Sequence, residues 1–121
     1  MKVSIIIPIY NVANYIGRCL QSILNQTYMD IECLLVDDCG TDNSVEVAKE
    51  FIKDYHGDIK FHFLYHEKNR GQSAARNTAL KHATGEYGFF LDSDDAILPD
   101  SIEALMALAA KYPGADFIQG N

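Results

Sequence analysis

The distribution of apolar residues along this chain constrains its fold more than any other feature. Short apolar runs rich in β-branched and aromatic residues have the length of strands and cover residues 3–9, 31–37, 60–66, 86–91 and 115–119. Between them, apolar residues recur at helical spacing over residues 13–26, 43–55, 71–84 and 99–112. Because strands that alternate with helices form parallel sheets with right-handed crossovers, we predict a three-layer α/β fold with helices on both faces of a mostly parallel sheet.

Local signals indicate where several elements begin or end. Asn43 is a favoured capping residue, and Glu46 three positions later completes a capping-box pattern. Gly85 is expected to close the third helix, and Pro99 suits the first turn of the fourth. The fourth helix is expected to bury its apolar face, which consists of Ile102, Leu105, Met106 and Ala109. The run 60–66 alternates, which predicts a strand near the sheet edge.

Size and charge restrict the class of protein. A chain of 121 residues with 48% hydrophobic and 22% charged residues is typical of one soluble globular domain with its own core. The formal net charge of -7 excludes a general nucleic-acid binder, which needs a basic face to neutralise phosphates. The basic residues Lys68, Arg70 and Arg76 form one dense cluster, so an anion site on this protein is expected to be local.

The cysteine pattern and the hydropathy bear on location. Three cysteines without a Cys-x-x-Cys pair suit a reducing compartment better than a disulfide framework or a structural zinc site. The apolar run at residues 3–9 is too short for a signal peptide or a membrane span. We therefore predict a cytoplasmic protein, and the sequence leaves peripheral association with the inner face of the membrane open.

Polar and acidic groups follow three of the predicted strands, at residues 8–11, 37–40 and 92–95. Ligands of parallel α/β sheets bind beyond the carboxyl ends of the strands, where the strand order reverses. The segment 92–95 holds three carboxylates, which repel one another unless a positive charge lies among them. A hard divalent cation that carries a phosphate ester fits this position. The alternative is an acidic turn in which Ser93 or Asp95 caps the next helix.

Two common nucleotide sites are excluded by their missing glycines. No Gly-x-Gly-x-x-Gly follows the first strand, and no Gly-x-x-x-x-Gly-Lys-Ser/Thr loop occurs in the sequence. A sugar-phosphate nucleotidyltransferase would also need a glycine-rich loop after that strand, where residues 9–12 read Ile-Tyr-Asn-Val. A bound pyrophosphate would therefore be held by a metal ion and side chains.

Five sequence blocks together resemble the family 2 glycosyltransferases, which are inverting enzymes of the Rossmann-like GT-A fold that use nucleotide sugars. The blocks occur in the family's order and spacing and cover residues 3–11, 22–28, 36–38, 69–77 and 92–95. The resemblance implies transfer of a sugar from a nucleoside-diphosphate donor, here UDP-linked, to a hydroxyl group of a glycan or lipid-linked acceptor. It further implies a divalent cofactor, Mn or Mg.

The resemblance also assigns candidate binding residues. Pro8, Tyr10 and Asn11 would line the pocket for the base and ribose, and Asp38 would accept a hydrogen bond from a uracil N–H. An alternative for Asp38 is a helix-capping carboxylate, because Asp is a favoured cap.

Further candidates concern the diphosphate and the metal. Asp92 would approach the ribose or the diphosphate, and Asp94 would bind the metal, with Asp92 as a second candidate ligand. Asp95 would cap or orient a ligand. Arg76 and Arg70 would face the nucleotide or its phosphates, since a guanidinium offers planar donors to anions. The alternative for Arg76 is a salt bridge to one of the two acids at 37–38.

One position departs from the family's pattern. The family continues its Asp-Asp pair with Gly-Ser, whereas this chain has Cys39 and Gly40. If the family's glycine serves a turn with positive φ, the change is expected to shift that turn by one residue. Cys39 would then pack as a small apolar side chain.

The general base is not assigned to a residue of this chain. In the family it is an acid on a later segment, and Asp116 is better interpreted as a strand-edge residue. We therefore expect a base beyond Asn121 and interpret residues 1–121 as the nucleotide-sugar-binding portion of a longer domain. The alternative is a non-catalytic nucleotide-sugar-binding module. The four histidines lack metal-site spacing and are predicted to lie at the surface or at a strand edge.

Overall fold

The fold is given by a computed structural model, which describes residues 2–111. Four strands alternate with four helices: β1 (Val3–Ile9), α1 (Ile16–Leu24), β2 (Ile31–Asp37), α2 (Ser44–Ile52), β3 (Lys60–Tyr65), α3 (Gln72–His82), β4 (Tyr87–Phe90) and α4 (Ser101–Lys111). The predicted alternation is therefore confirmed over this range. The predicted strand 115–119 and Asp116 lie outside the described residues.

All four strands are parallel, in the order β3-β2-β1-β4. The chain moves outward from β1 to β3 and then returns to the other side of β1, so the strand order reverses between β1 and β4. Every residue of β1 is buried, whereas β3 alternates between exposed and partly buried residues and lies at an edge of the described sheet. The predicted edge character of β3 is confirmed.

Side chains of the central strands alternate between two cores, which produces the three layers. One core combines β1 residues such as Ile5 and Ile7 with apolar residues of α1, α2 and α4. The other places Ile6 and Val36 against Ala75 and other residues of α3. Strands buried on both faces must be apolar throughout, which explains the continuous apolar runs in β1 and β2. The predicted helices on both faces are confirmed.

Pro8 lies inside a central strand without disrupting the sheet. The oxygen of Ile6 accepts a hydrogen bond from Leu91 N (3.0 Å), whereas the oxygen of Ile9 accepts one from Asp38 N (2.9 Å), so even-numbered residues of β1 turn their backbone groups toward β4. The pairing of β1 with β4 ends at Ile6 and Phe90. Pro8 lies beyond it, so its missing N–H costs no hydrogen bond between strands.

Helix ends deviate from the predictions where tertiary contacts replace local signals. α1 begins at Ile16, three residues later than predicted, after a turn in which Val12 O accepts from Tyr15 N (2.8 Å). α2 begins after Asn43 as predicted, but the capping box is wrong, because Asn43 makes no side-chain cap bond and Asp42 accepts from Ser44 N instead (3.0 Å).

α3 ends at His82, and the predicted closure by Gly85 is wrong. Gly85 is required for close packing instead, since a Cβ there would lie 2.4 Å from Ser4 Oγ. Its N–H and that of Thr84 donate to the buried carboxylate of Glu32, at 3.2 and 2.6 Å. Burial by itself would raise the pKa of Glu32, but the hydrogen bonds from Ser4, Thr84 and Gly85 outweigh it and lower the pKa.

The buried amide of Gln26 joins the end of α1 to the start of α4. Its Nε2 donates to Ser22 O (2.9 Å) and to Leu98 O (2.7 Å), and its Oε1 accepts from Ile102 N (3.1 Å). Because the first N–H groups of a helix have no partner within it, Gln26 supplies a cap for α4 from another element. Ile102, Met106 and Ala109 are buried as predicted.

Among residues 2–111, no helix has both the length and the apolar character needed to cross a bilayer.

Candidate functional site

A cleft of about 460 Å³ opens at the carboxyl ends of β1, β2 and β4. It lies where the strand order reverses, the position expected for ligands of such sheets. Five of the predicted site residues are in its lining: Pro8, Tyr10, Asp38, Asp92 and Asp94. The lining also includes Val12 and the segment that leads into α3, which contributes Asn69, Gly71 and Gln72.

The acidic segment after β4 forms a compact group of oxygen ligands. Asp92, Asp94 and Asp95 each offer a ligand atom, and these atoms all lie within 4.8 Å of one another. The segment turns back on itself, with Asp92 O accepting from Asp95 N at 2.9 Å. The predicted alternative is wrong, because the next helix begins only at Ser101, too far along for Ser93 or Asp95 to cap it.

Carboxylate oxygens at this spacing fit a hard divalent ion. Such ions take oxygen ligands and share them with substrate phosphates. The carboxylates of Asp94 and Asp95 have no side-chain partner within the described part of the chain, so they can accept a cation. The thiol of Cys19 lies beneath the segment, 3.9 Å from Asp92 O. Burial and the nearby negative carboxylates raise the pKa of Cys19 to about 12, so it stays protonated and is no thiolate ligand.

Asp92 is held on one oxygen by two side chains of α3. Gln72 Nε2 donates to Asp92 Oδ1 at 2.9 Å, and Arg76 Nη2 lies 3.4 Å from the same atom. The guanidinium of Arg76 also lies 5.1 Å above the ring of Phe90. The predicted alternative, in which Arg76 pairs with an acid at 37–38, is wrong because α3 directs this side chain toward the end of β4 instead.

Besides Arg76, two of the predicted residues lie outside the cleft lining. The residue Arg70 is exposed, and its backbone N–H, not its guanidinium, contacts the acid at position 38. Asn11 turns away from the cleft: its Oδ1 accepts hydrogen bonds from Thr41 N (2.7 Å) and Asp42 N (3.3 Å). The expectation that Asn11 lines the cleft is therefore wrong, because the loop after β2 uses its carbonyl.

Asp38 is a buried carboxylate that joins three segments. Its Oδ1 accepts from Arg70 N (2.9 Å) and lies 2.8 Å from His66 Nδ1, and its Oδ2 accepts from Gly71 N (2.9 Å). Burial by itself would raise the pKa of Asp38, but these hydrogen bonds outweigh it and lower the pKa. Asp38 therefore stays ionised beside the start of α3, where a negative charge is favourable.

His66 contacts the cleft residue Asp38, a pairing that the sequence did not reveal. Its side chain is only 3% exposed, so the predicted surface position is wrong, although His66 does lie at the end of the edge strand β3. It follows β3 directly, and its backbone N–H donates to Asp37 O (2.9 Å). The sequence contained one signal for this pairing. His66 comes at the carboxyl end of β3, and the adjacent strand β2 ends beside Asp38, so the two side chains could be expected to lie close together.

The loops after β1 and β2 are hydrogen-bonded to each other in both directions. Besides the contacts of Asn11, Val12 N donates to Ser44 Oγ (2.8 Å), and Ala13 N donates to Asp42 Oδ2 (3.1 Å). A Cβ at Gly40 would lie 2.8 Å from Asn11 Oδ1 and 3.1 Å from Asn11 N, so a larger residue here would force the Asn11 side chain to shift. The pairing fixes the loop that carries the cleft residues after β1.

The turn at Cys39 is not shifted along the chain as expected. Cys39 itself adopts the left-handed conformation, with φ 58°, so the positive φ stays at the position where the family has glycine. The predicted packing of Cys39 as an apolar residue is also wrong, because it is exposed, with its Sγ 3.6 Å from Glu67 O.

Comparison with known proteins identifies a family. The family described as Glycosyl transferase family 2 matches residues 4–121 of this chain. The glycosyltransferase GlyA of Streptococcus pneumoniae serotype 4 is 46% identical over 121 residues, which cover 99% of this chain and 16% of that protein. The putative teichuronic acid biosynthesis glycosyltransferase TuaG of Bacillus subtilis is 41% identical over 84% of this chain and 39% of that protein.

Solved structures agree in fold. Staphylococcus aureus TarS 1–349 in complex with UDP-GlcNAc has a TM-score of 0.83 at 32% identity, over 92% of this chain and 32% of that one. The mannosyltransferase PcManGT of Pyrobaculum calidifontis, in complex with GDP-Man and Mn²⁺, has a TM-score of 0.79 at 29% identity, over 94% of this chain and 32% of that one. This chain thus spans well under half the length of each protein compared. Its sheet order, its acidic cluster and the match over residues 4–121 lead to one conclusion: the chain belongs to glycosyl transferase family 2 and has the GT-A fold.

Proposed function

We propose that this chain binds the donor of a sugar transfer, in which a nucleoside-diphosphate sugar, UDP-linked, reacts with a hydroxyl group of a glycan or lipid-linked acceptor. The proposed reaction inverts the configuration of the anomeric carbon and uses a divalent cation. One observation carries the proposal: Asp38 and the acidic segment at 92–94 line the same cleft at the switch point of the sheet. A non-catalytic nucleotide-sugar-binding module is the alternative.

The base and ribose of the donor are proposed to bind along the wall formed after β1. Pro8 and Tyr10 contribute to this wall, and Tyr10 is 47% exposed, which makes its ring available for stacking. A carboxylate has about four lone-pair sites, so Asp38 keeps roughly one for a uracil N–H after its three contacts with the chain. The binding of UDP and UDP-GlcNAc by the TarS structures supports this choice of base.

The diphosphate and the cation are proposed to bind at the end of β4. Asp94 and Asp92 would hold Mn or Mg, and Asp95 would orient a ligand. When bound, the cation stabilises negative charge that develops on the departing diphosphate, which is worth several kcal/mol. The Mn²⁺ in the PcManGT complex supports divalent metal use at this fold.

Two side chains of α3 orient Asp92 at this end of the cleft. Gln72 and Arg76 hold Asp92 through Oδ1, which limits its rotation and keeps Oδ2 for a ligand. We propose that Arg76 also contacts the diphosphate side of the donor, and that Arg70 approaches it from the exposed rim. Deprotonation of the acceptor hydroxyl needs a general base within hydrogen-bond reach.

The Asp94→Ala variant tests the proposal. Because Asp94 is exposed and its carboxylate contacts no described side chain, the variant is expected to fold normally and to lose the Mn-dependent part of UDP binding. Calorimetric titration with UDP, with and without Mn, measures that part. Asp100→Ala is the matched control, since Asp100 is an exposed acid outside the cleft lining.

The possible results separate cleanly. Loss of the Mn effect in Asp94→Ala and its retention in Asp100→Ala support the proposal. Equal Mn-dependent binding in both variants contradicts the role of Asp94, and a wild-type chain that binds no UDP contradicts the nucleotide assignment.

A further inference from the structure

The histidine at the end of β3 is fixed through both of its ring nitrogens. His66 Nδ1 lies 2.8 Å from Asp38 Oδ1, and His66 Nε2 lies 2.8 Å from Thr78 Oγ1 on α3. The two side chains of the acid–histidine pair are 3% and 4% exposed. The ring therefore bridges the loop after β2 and the middle of α3 beneath the cleft.

The chemistry of the partners assigns the proton on one nitrogen. An ionised carboxylate only accepts hydrogen bonds, so Nδ1 must carry the hydrogen that lies between His66 and Asp38. The hydroxyl of Thr78 can donate to a neutral Nε2 or accept from a protonated one, so the second contact persists in either charge state. The ring orientation is thus set by its two partners.

This orientation bears on the cleft through the other contacts of Asp38. The same carboxylate accepts from Arg70 N and Gly71 N, at 2.9 Å each. These residues belong to the segment that leads into α3, and Gly71 lines the cleft. A rotation of the Asp38 carboxylate would therefore change its own position in the cleft. It would also break the hydrogen bonds that hold Arg70 and Gly71.

We propose that His66 is a positioning residue of the nucleotide site: it holds the Asp38 carboxylate in the orientation that binds the base of the donor. Through Asp38, it also holds the segment 69–71, which leads into α3. The inference rests on the proposed function. His66 itself does not line the cleft, so its effect passes through Asp38.

Two substitutions of His66 distinguish the loss of its hydrogen bond to Asp38 from the loss of side-chain volume. His66→Asn places an N–H where Nδ1 lies and keeps the donor to Asp38, whereas His66→Gln places its N–H near Nε2 and loses that donor. We expect His66→Gln to weaken UDP binding about tenfold, the effect of one lost hydrogen bond to a charged group. His66→Asn keeps the donor to Asp38 and loses only the contact to Thr78, so it should weaken binding less than His66→Gln and about as much as Thr78→Val. Calorimetric titration of the 121-residue chain with UDP and Mn measures both.

A second readout distinguishes positioning from a general loss of structure. The factor by which Mn strengthens UDP binding is expected to be unchanged in His66→Gln, because the acidic segment at 92–95 makes no contact with His66. His62→Gln is the matched control: His62 lies on the same strand, its side chain is 54% exposed, and it is remote from the cleft lining. His62→Gln should bind UDP as wild type does.

Substitutions at Thr78 keep the test decisive if His66→Gln does not fold. Thr78→Val removes the far hydrogen bond and should weaken UDP binding, and Thr78→Ser should restore it. Wild-type UDP affinity in a folded His66→Gln chain, or in Thr78→Val if His66→Gln is unfolded, would overturn the role of His66. A wild-type chain that fails to bind UDP would instead refute the proposed function itself.

Discussion

At the scale of single residues, Cys39 shows how a loop can keep its path after its glycine is replaced. Its φ of 58° is a conformation in which a Cβ crowds the following carbonyl oxygen. The loop tolerates this because its neighbours are fixed: Gly40 packs against Asn11, whose side chain binds Thr41 N. The geometry of the loop is thus set by contacts on both sides of Cys39.

Replacing this cysteine should reveal the strain. Cys39→Gly is expected to be more stable than Cys39→Ala by about 0.5–1 kcal/mol, because glycine relieves the left-handed strain but loses more backbone entropy on folding. Both variants remove the weak thiol contact to Glu67 O, so the comparison isolates the backbone term. Urea unfolding measures the difference, and equal midpoints for the two variants would contradict the strain.

At the scale of elements, the acidic segment is supported from below by the junction of α1 and α4. Gln26 binds Leu98 O and Ile102 N, which lie at the end of the loop that begins with the acidic residues. The backbone bond from Thr27 N to Pro99 O (2.8 Å) reinforces the same junction. Leu98 O also accepts from Ser101 N (3.0 Å), whereas Ile102 N has no described partner except Gln26 Oε1, so the amide oxygen is the part that is difficult to substitute.

We expect Gln26→Leu to destabilise the fold by about 2 kcal/mol, because it removes the described partner of the buried Ile102 N–H and that of the buried Ser22 carbonyl. Gln21→Leu is the matched control, since Gln21 lies on α1 just before Gln26 and its amide makes an exposed contact with Asn25 Oδ1 (3.0 Å). The control should change the free energy of unfolding by about 0.5 kcal/mol or less. Chemical denaturation measures the free energy of unfolding of both variants. Similar losses of stability would show that the Gln26 junction stabilises the fold no more than an exposed glutamine does.

At the scale of the whole molecule, the sheet order creates the cleft. Parallel strands in the order β3-β2-β1-β4 bring the ends of β1, β2 and β4 to one edge, although β2 and β4 are separated by about two fifths of the chain. The acids that follow β2 and β4 therefore approach each other from opposite sides of β1. A base at one side and a diphosphate at the other would span the cleft.

The shape of the whole cleft determines which nucleotide base it accepts. We expect UDP to bind more tightly than GDP, because the wall after Pro8 offers the ring of Tyr10 but no second platform for a purine. Competition between UDP and GDP in the presence of Mn measures the preference. Tighter binding of GDP would overturn the uracil assignment while leaving the metal assignment intact.

Much of this fold could be predicted because buried parallel strands and amphipathic helices have distinct periods. β1 and β2 have the bounds expected from their apolar runs. Helix ends were less predictable, since Asp42 replaces the expected cap of α2 and Gln26 caps α4 from the segment after α1. Such caps depend on elements that are remote in sequence, so a local pattern does not contain them.

The sequence by itself determined the alternation of elements, the parallel sheet and the acidic residues at the ends of its strands, because hydrophobic period and turn chemistry are local properties. Only the tertiary structure decided which side chains meet: His66 with Asp38, Arg76 with Asp92, and Asn11 with the loop after β2. These pairings depend on how α3 and the loops pack onto the sheet. Distances of a few ångströms between residues far apart in the chain are set by that packing.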